Sequence, residues 1–202
     1  EASIYGEIKD NYKIDDNGNM KGISVSGRSN AFGVYLESRS IGTNGDSDVL
    51  VTEPFTVSGN PITVTSSGLG AYGIYANTTK YDMKYFNYIF MDITDNNMKF
   101  GQGIKGTGES AGIYLLASHV FLGTQIGSKE EPITISGNRM NVISSGNVAY
   151  GIFIKSCQGD IFTQIHDNVV LDNEGKYIPG EYGIKVTGLA GAYGVYLDSQ
   201  HN

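Results

Sequence analysis

Ala71-Tyr72-Gly73-Ile74-Tyr75-Ala76 is one of five copies of a single six-residue phrase. The others are Ala31-Phe32-Gly33-Val34-Tyr35-Leu36, Ser110-Ala111-Gly112-Ile113-Tyr114-Leu115, Ala149-Tyr150-Gly151-Ile152-Phe153-Ile154 and Ala192-Tyr193-Gly194-Val195-Tyr196-Leu197. From Gly33 through Gly73, Gly112 and Gly151 to Gly194 the steps are 40, 39, 39 and 43 residues. Recurrence at that period marks a repeat architecture, in which each unit buries its apolar face against its neighbours. Residues 1–202 read as a single quasi-one-dimensional domain, with repeats at approximately 1–40, 41–80, 81–117, 118–157 and 158–202.

Around each phrase lie short pieces rich in Ile, Val, Thr, Tyr and Phe that alternate apolar and polar residues, the mark of strands with one buried face. Gly, Asn, Asp and Ser separate them and supply turns. Within the phrase, strict alternation sends Tyr72 inward with Ile74 and Ala76, and Ala71 and Gly73 outward with Tyr75. The aliphatic set, Val34 and Leu36 through Val195 and Leu197, is assigned to the core. Two all-β folds suit this pattern. One is a parallel β-solenoid with two coils of about twenty residues per repeat, hence about ten coils and a rod near 50 Å long. The alternative is a five-bladed β-propeller, which needs two-residue hairpins between strands. Such hairpins are rare in this sequence, and the solenoid is the expected fold.

The formal net charge is −7, and Lys and Arg are not clustered. Phosphate neutralisation needs grouped cations, so nucleic acid is not an expected partner, and anionic membrane surfaces are disfavoured too. No apolar run is long enough for a membrane-spanning helix, so no direct membrane insertion is expected of this segment. Cys157 is the only cysteine and cannot form an internal disulfide; a buried or half-buried thiol is its plain reading.

The run Gly183-Ile184-Lys185-Val186-Thr187-Gly188, followed by Ala192-Tyr193-Gly194-Val195-Tyr196, resembles the passenger repeats of bacterial autotransporters and related β-helical surface adhesins. The resemblance covers almost the whole chain, and no functional residue comes with it. It implies a right-handed parallel β-helix, secretion and a role at the cell surface. The sequence has no outer-membrane barrel segment, which suggests a fragment of a longer surface protein.

Some β-helices cleave polysaccharides, which requires acid/base groups gathered on one sheet. Asp15-Asp16 lies in Asp15-Asp16-Asn17-Gly18-Asn19 and reads as a turn, while Glu130-Glu131 reads as a solvated loop. His119, His166 and His201 lack metal-ligand spacing and read as surface histidines. His166-Asp167 could pair, but no nucleophile motif accompanies it. The expectation is therefore a protein that is not an enzyme, with a polysaccharide lyase or hydrolase as the alternative. No cofactor is expected. Asn44, Asp46 and Asp48, and separately Asp167, Asp172 and Glu174, put oxygen ligands into short turns of the sort that can hold Ca²⁺, though neither has EF-hand spacing. Hydrated acidic turns are the simpler reading.

One surface feature stands out. Tyr35, Tyr75, Tyr114 and Tyr196 recur at one repeat position, with Phe153 in the fourth copy. On the face opposite the aliphatic set they would form a stripe. With two coils per repeat its rings would lie about 9–10 Å apart, each free to meet a ligand. The expected function is an extracellular, surface-exposed adhesin or stalk scaffold that binds a host or bacterial glycan or protein through this face or its loops. Open strand edges at the solenoid ends also admit end-to-end self-association into a fibre.

Overall fold

A computed structural model describes residues 3–38, 40–42, 54–78, 87–99, 101–119, 123–170, 172 and 174–200. Among the described residues every regular element is a β-strand. The strands stack in parallel as a β-solenoid, and the propeller is not supported, because nearly all pairing joins equivalent pieces of successive repeats in parallel.

The cross-section has four faces. The phrases form the largest sheet, from Ala31–Glu37, Ala71–Thr78, Ser110–Ser118, Val148–Cys157 and Gly191–Gln200, in that spatial order. A second face stacks Glu7–Lys9, Phe55–Ser58, Met91–Thr94, Ile133–Ser136 and Thr163–His166. A third stacks Ile23–Gly27, Ile62–Ser66, Ile104–Gly106, Arg139–Ser144 and Ile184–Gly188. The fourth is short: Ser3–Ile4, Ser40–Ile41, Asn87–Ile89 and Thr124–Ile126. Each coil thus contributes one strand to each of the first three faces, the last coil reaches the fourth only by a bridge at Ile161, and each repeat makes one coil. The expectation of two coils per repeat is corrected: Tyr75 lies beside Tyr35 on one side and Tyr114 on the other, with no coil between them. The chain climbs about four turns, and five coils make a stack of about 24 Å, half the expected length.

The interior is aliphatic from end to end. Ile41, Ile62, Ile74, Ile93, Ile113 and Ile135 are fully buried, and Met91, Met98 and Met140 fill the space between faces. The inward assignment of Val34, Leu36, Ile74, Ala76, Ile113, Leu115, Ile152 and Ile154 holds. Val195 and Leu197 are 45% and 51% exposed, because no described coil follows theirs.

One corner carries an asparagine ladder. Asn11, Asn60, Asn96, Asn138 and Asn168 stand one above another. The backbone N–H and Nδ2 of each donate to Oδ1 of the next, at 2.9–3.3 Å. From Asn60 to Asn168 each Nδ2 is also within hydrogen-bond distance of the carbonyl two residues back and of a carbonyl of the coil before, so at Asn60, Asn96 and Asn138 its two hydrogens are shared among three acceptors. The residue preceding each asparagine, in turn Asp10, Gly59, Asp95, Gly137 and Asp167, has φ between 50° and 67°. Glycine reaches this left-handed region without strain, and aspartate tolerates it.

Candidate functional site: the tyrosine wall

The outer surface of the largest sheet carries two columns of aromatic rings. The outer one, Tyr35, Tyr75, Tyr114, Phe153 and Tyr196, is in strict register from coil to coil. Its rings stack at 5.3, 5.0, 4.4 and 5.3 Å between centroids, with planes within 10° of parallel. This overturns the expected 9–10 Å separation. One coil per repeat brings neighbouring rings into contact, so their faces cover one another and their edges turn to solvent.

The inner column holds Phe32, Tyr72, Tyr150 and Tyr193, with Ala111 in the middle position. Phe32 stacks on Tyr72 at 5.2 Å and Tyr150 on Tyr193 at 5.4 Å. The columns meet edge to face, as Tyr72 does with Tyr75 at 5.3 Å. Strict alternation had turned Tyr72 inward and Ala71 outward, and that assignment is corrected. Ala71 lies in the core beside Ile74, while Tyr72 joins Tyr75 outside. Alternation slips at the glycine. A Cβ on Gly33 would point at the core methyls of Ile62 and Val64, yet Val34 right after it is also buried. Two consecutive inward positions shift the later residues by one, so positions 32 and 35 share the outer side.

Two carboxylates serve the wall. The Tyr35 hydroxyl donates to Glu37 Oε2 at 2.6 Å, and this bond, with some burial, pushes its pKa up to about 12. Glu109 is half-buried and takes a hydrogen bond from the Tyr72 hydroxyl. Burial raises the Glu109 carboxyl above the usual range, and the Tyr72 bond opposes that only in part. Burial, then the charge of Glu109, holds Tyr72 and Tyr114 well above the usual phenol range. Tyr35, Tyr72 and Tyr114 are therefore neutral across the ordinary pH range. Tyr35 is 48% exposed and Tyr193 44%, whereas Tyr72 is 8% exposed. Tyr75, Tyr114 and Tyr196 are intermediate, less open than the isolated-ring arrangement would make them.

The remaining candidates are scattered. The Asp15 carboxylate accepts the backbone N–H groups of Asn17 and Asn19, forming the expected turn. A second turn copies it, where Asp172 accepts from Glu174 and Lys176. Asn44, Asp46 and Asp48 lie outside the described residues. Asp167 pairs with His166 (Nδ1–Oδ2 2.8 Å) and Glu174 with Lys176, so these carboxylates have other partners than Asp172. Among the described residues no three His, Cys, Asp or Glu side chains come together as a metal site would need. His119, expected at the surface, is buried at 4% exposure. Cys157 is half-buried and free. Sequence reading missed Phe32, Tyr72, Tyr150 and Tyr193 as wall residues and Glu109 as their buried partner. The aromatic directly before four of the five phrase glycines was the available signal. Comparison with family models, curated proteins and solved structures finds no match for this chain.

Proposed function

We propose that this chain is a rigid, non-catalytic β-solenoid scaffold of a bacterial surface protein, and that the tyrosine wall is the face with which it contacts a glycan or protein. The observation that carries the reading is the wall itself, two columns of aromatic rings held in register along the outer face of one sheet. Rings prestacked in this way lose little conformational freedom on binding, and tyrosine couples an apolar body to a polar tip. Ring faces are covered within the stack, so the contact runs through ring edges and phenolic hydroxyls. The resemblance to surface-adhesin repeats points the same way. So does the asparagine ladder, which stiffens every described coil.

The test removes the hydroxyls and keeps the rings. Phe153 already occupies one rank of the outer column, stacked at 4.4 Å on Tyr114, so phenylalanine fits there. A Tyr35→Phe/Tyr75→Phe/Tyr114→Phe/Tyr196→Phe variant should keep the native melting temperature and lose binding in glycan-array and cell-adhesion assays. Binding equal to that of the native chain would refute the reading, as would a native chain that binds nothing in either assay.

A further inference from the structure

The inner aromatic column is broken once, and a charge stands at the break. Phe32, Tyr72, Tyr150 and Tyr193 hold four of its ranks. Ala111, paired with Tyr72 on one side and Tyr150 on the other, holds the fifth. Where a ring is present it folds back along its strand. The Tyr72 and Tyr193 rings lie over Gly70 and Gly191, their Cε2 atoms 2.8 and 3.3 Å from the point where a Cβ on those glycines would stand. The third coil reverses this order, with Glu109 in the place that Gly70 has in the second coil and no ring two residues later. The Glu109 side chain reaches into the vacated rank. It takes the hydrogen bond of the Tyr72 hydroxyl, and its charge is felt at Tyr72, Tyr114, Tyr150 and Tyr75. Ala111 is fully covered, while Glu109 is half-buried and keeps an open side. The carboxylate is thus the floor of a shallow recess rimmed by phenols.

No cation answers this charge. Burial and the Tyr72 bond are what act on the Glu109 carboxyl, and no Lys or Arg contributes. Within the five strands of this sheet Lys155 is the sole Lys or Arg, and Asp198 holds it at 2.7 Å. A carboxylate has about four acceptor positions, and Tyr72 fills one. One carboxylate brings too few oxygens for Ca²⁺. Its charge, set among rings in place of water, is nevertheless weakly screened and attracts a countercharge strongly. We infer that this recess receives a cationic side chain, lysine or arginine, of a protein partner lying along the tyrosine wall. The inference rests on the wall's being the binding face and names the charge that the partner brings to it. The cation's N–H groups donate to the open positions of Glu109 and to the phenol oxygens around it, and its methylene stem lies along the ring edges. An uncharged glycan supplies no countercharge, so a protein partner is favoured over it.

NMR titration of the chain with acetyl-glycyl-lysyl-glycinamide, its arginyl counterpart and the Nζ-acetylated lysyl form tests this, read on the tyrosine ring signals. At least one cationic peptide should bind saturably, weaken as salt is raised and shift the signals of Tyr72, Tyr114 and Tyr150. The acetylated form should bind about tenfold more weakly or not at all. Glu109→Gln removes the charge, keeps the shape of the side chain and should show the same loss. Glu109→Gly/Ala111→Tyr copies the arrangement of Gly70 and Tyr72 into the third coil; it should stay folded and lose the peptide. A native chain whose tyrosine signals no peptide shifts would overturn the inference, as would equal binding of the acetylated form or native binding by either variant. The wall reading is scored separately. Cell adhesion lost in the four-phenylalanine variant but unchanged in Glu109→Gln would overturn the inference and leave the wall as the binding face. Adhesion unchanged in the four-phenylalanine variant, with peptide binding still dependent on Glu109, would refute the wall reading and leave the cation recess standing.

Discussion

The carbonyl oxygen of Gly112 lies 2.6 Å from the point where a Cβ on Gly73 would stand. The same approach joins Gly33 to Gly73, Gly112 to Gly151 and Gly151 to Gly194. None of these glycines has the positive φ that a side chain would resist. Lack of space therefore requires glycine at each, as the coil above closes onto the point where alternation slips.

Replacing Gly73 by alanine should cost roughly 2–3 kcal/mol, because the methyl meets a backbone carbonyl that cannot rotate away. The Met98 sulfur, 2.5 Å from the same point, can move more cheaply. Thermal unfolding of Gly73→Ala beside Gly194→Ala, where nothing lies within 4 Å of the added methyl, checks this. A large loss in the first and a change within about 0.5 kcal/mol in the second are expected. Equal losses would show that the approach between coils is not the cause.

The asparagine ladder should matter most in its middle. Asn96 is fully buried, donates to the carbonyls of Val57 and Thr94 and to Asn138, and accepts from Asn60. Asn96→Ala strands several of these groups away from water and should cost about 3 kcal/mol or more, a fall of about 6–12 °C in Tm. Asn11→Ala, at the exposed first rung, should cost under about 1 kcal/mol. Parallel melting curves decide it, and similar shifts in both would contradict the ladder's role.

Glu109 gives the wall a pH dependence. Burial raises its carboxyl pKa in the folded state, so folding favours the protonated form. Its contribution is fully present below the ordinary carboxyl pKa and is lost as pH rises through the folded value. Glu109→Gln keeps an acceptor for the Tyr72 hydroxyl without the buried charge. At pH 7 the variant should melt higher than the native chain by about 1–3 °C, and the difference should vanish at acidic pH. A variant less stable than the native chain at pH 7 would mean that the charge is stabilising.

Much of this architecture was legible in the residues. The recurrence of Ala-Tyr-Gly-Ile-Tyr at about forty residues gave the parallel stack, because equivalent positions of a repeat must face one another. The alternation of Ile74 and Ala76 with Tyr75 gave the core and one aromatic column. The other column was hidden because strict alternation assumes a regular strand, and at each phrase glycine two consecutive residues point inward. The ladder was hidden for a different reason. Its steps of 49, 36, 42 and 30 residues follow no period, since the segments that join one face to the next within a coil differ in length.

By itself the sequence determined the period, the aliphatic interior and the rank of Tyr35, Tyr75, Tyr114 and Tyr196, all of which are set by local chemistry repeated along the chain. Only the tertiary structure decided how many coils a repeat makes. It thereby decided whether those rings stand apart or stack, and which asparagines meet. The physical reason is that strand-like pieces record which side is buried but not how many of them complete a turn. That number is set by hydrogen bonding and packing between coils, where Gly73 must fit against Gly112 and Asn60 must reach Asn96.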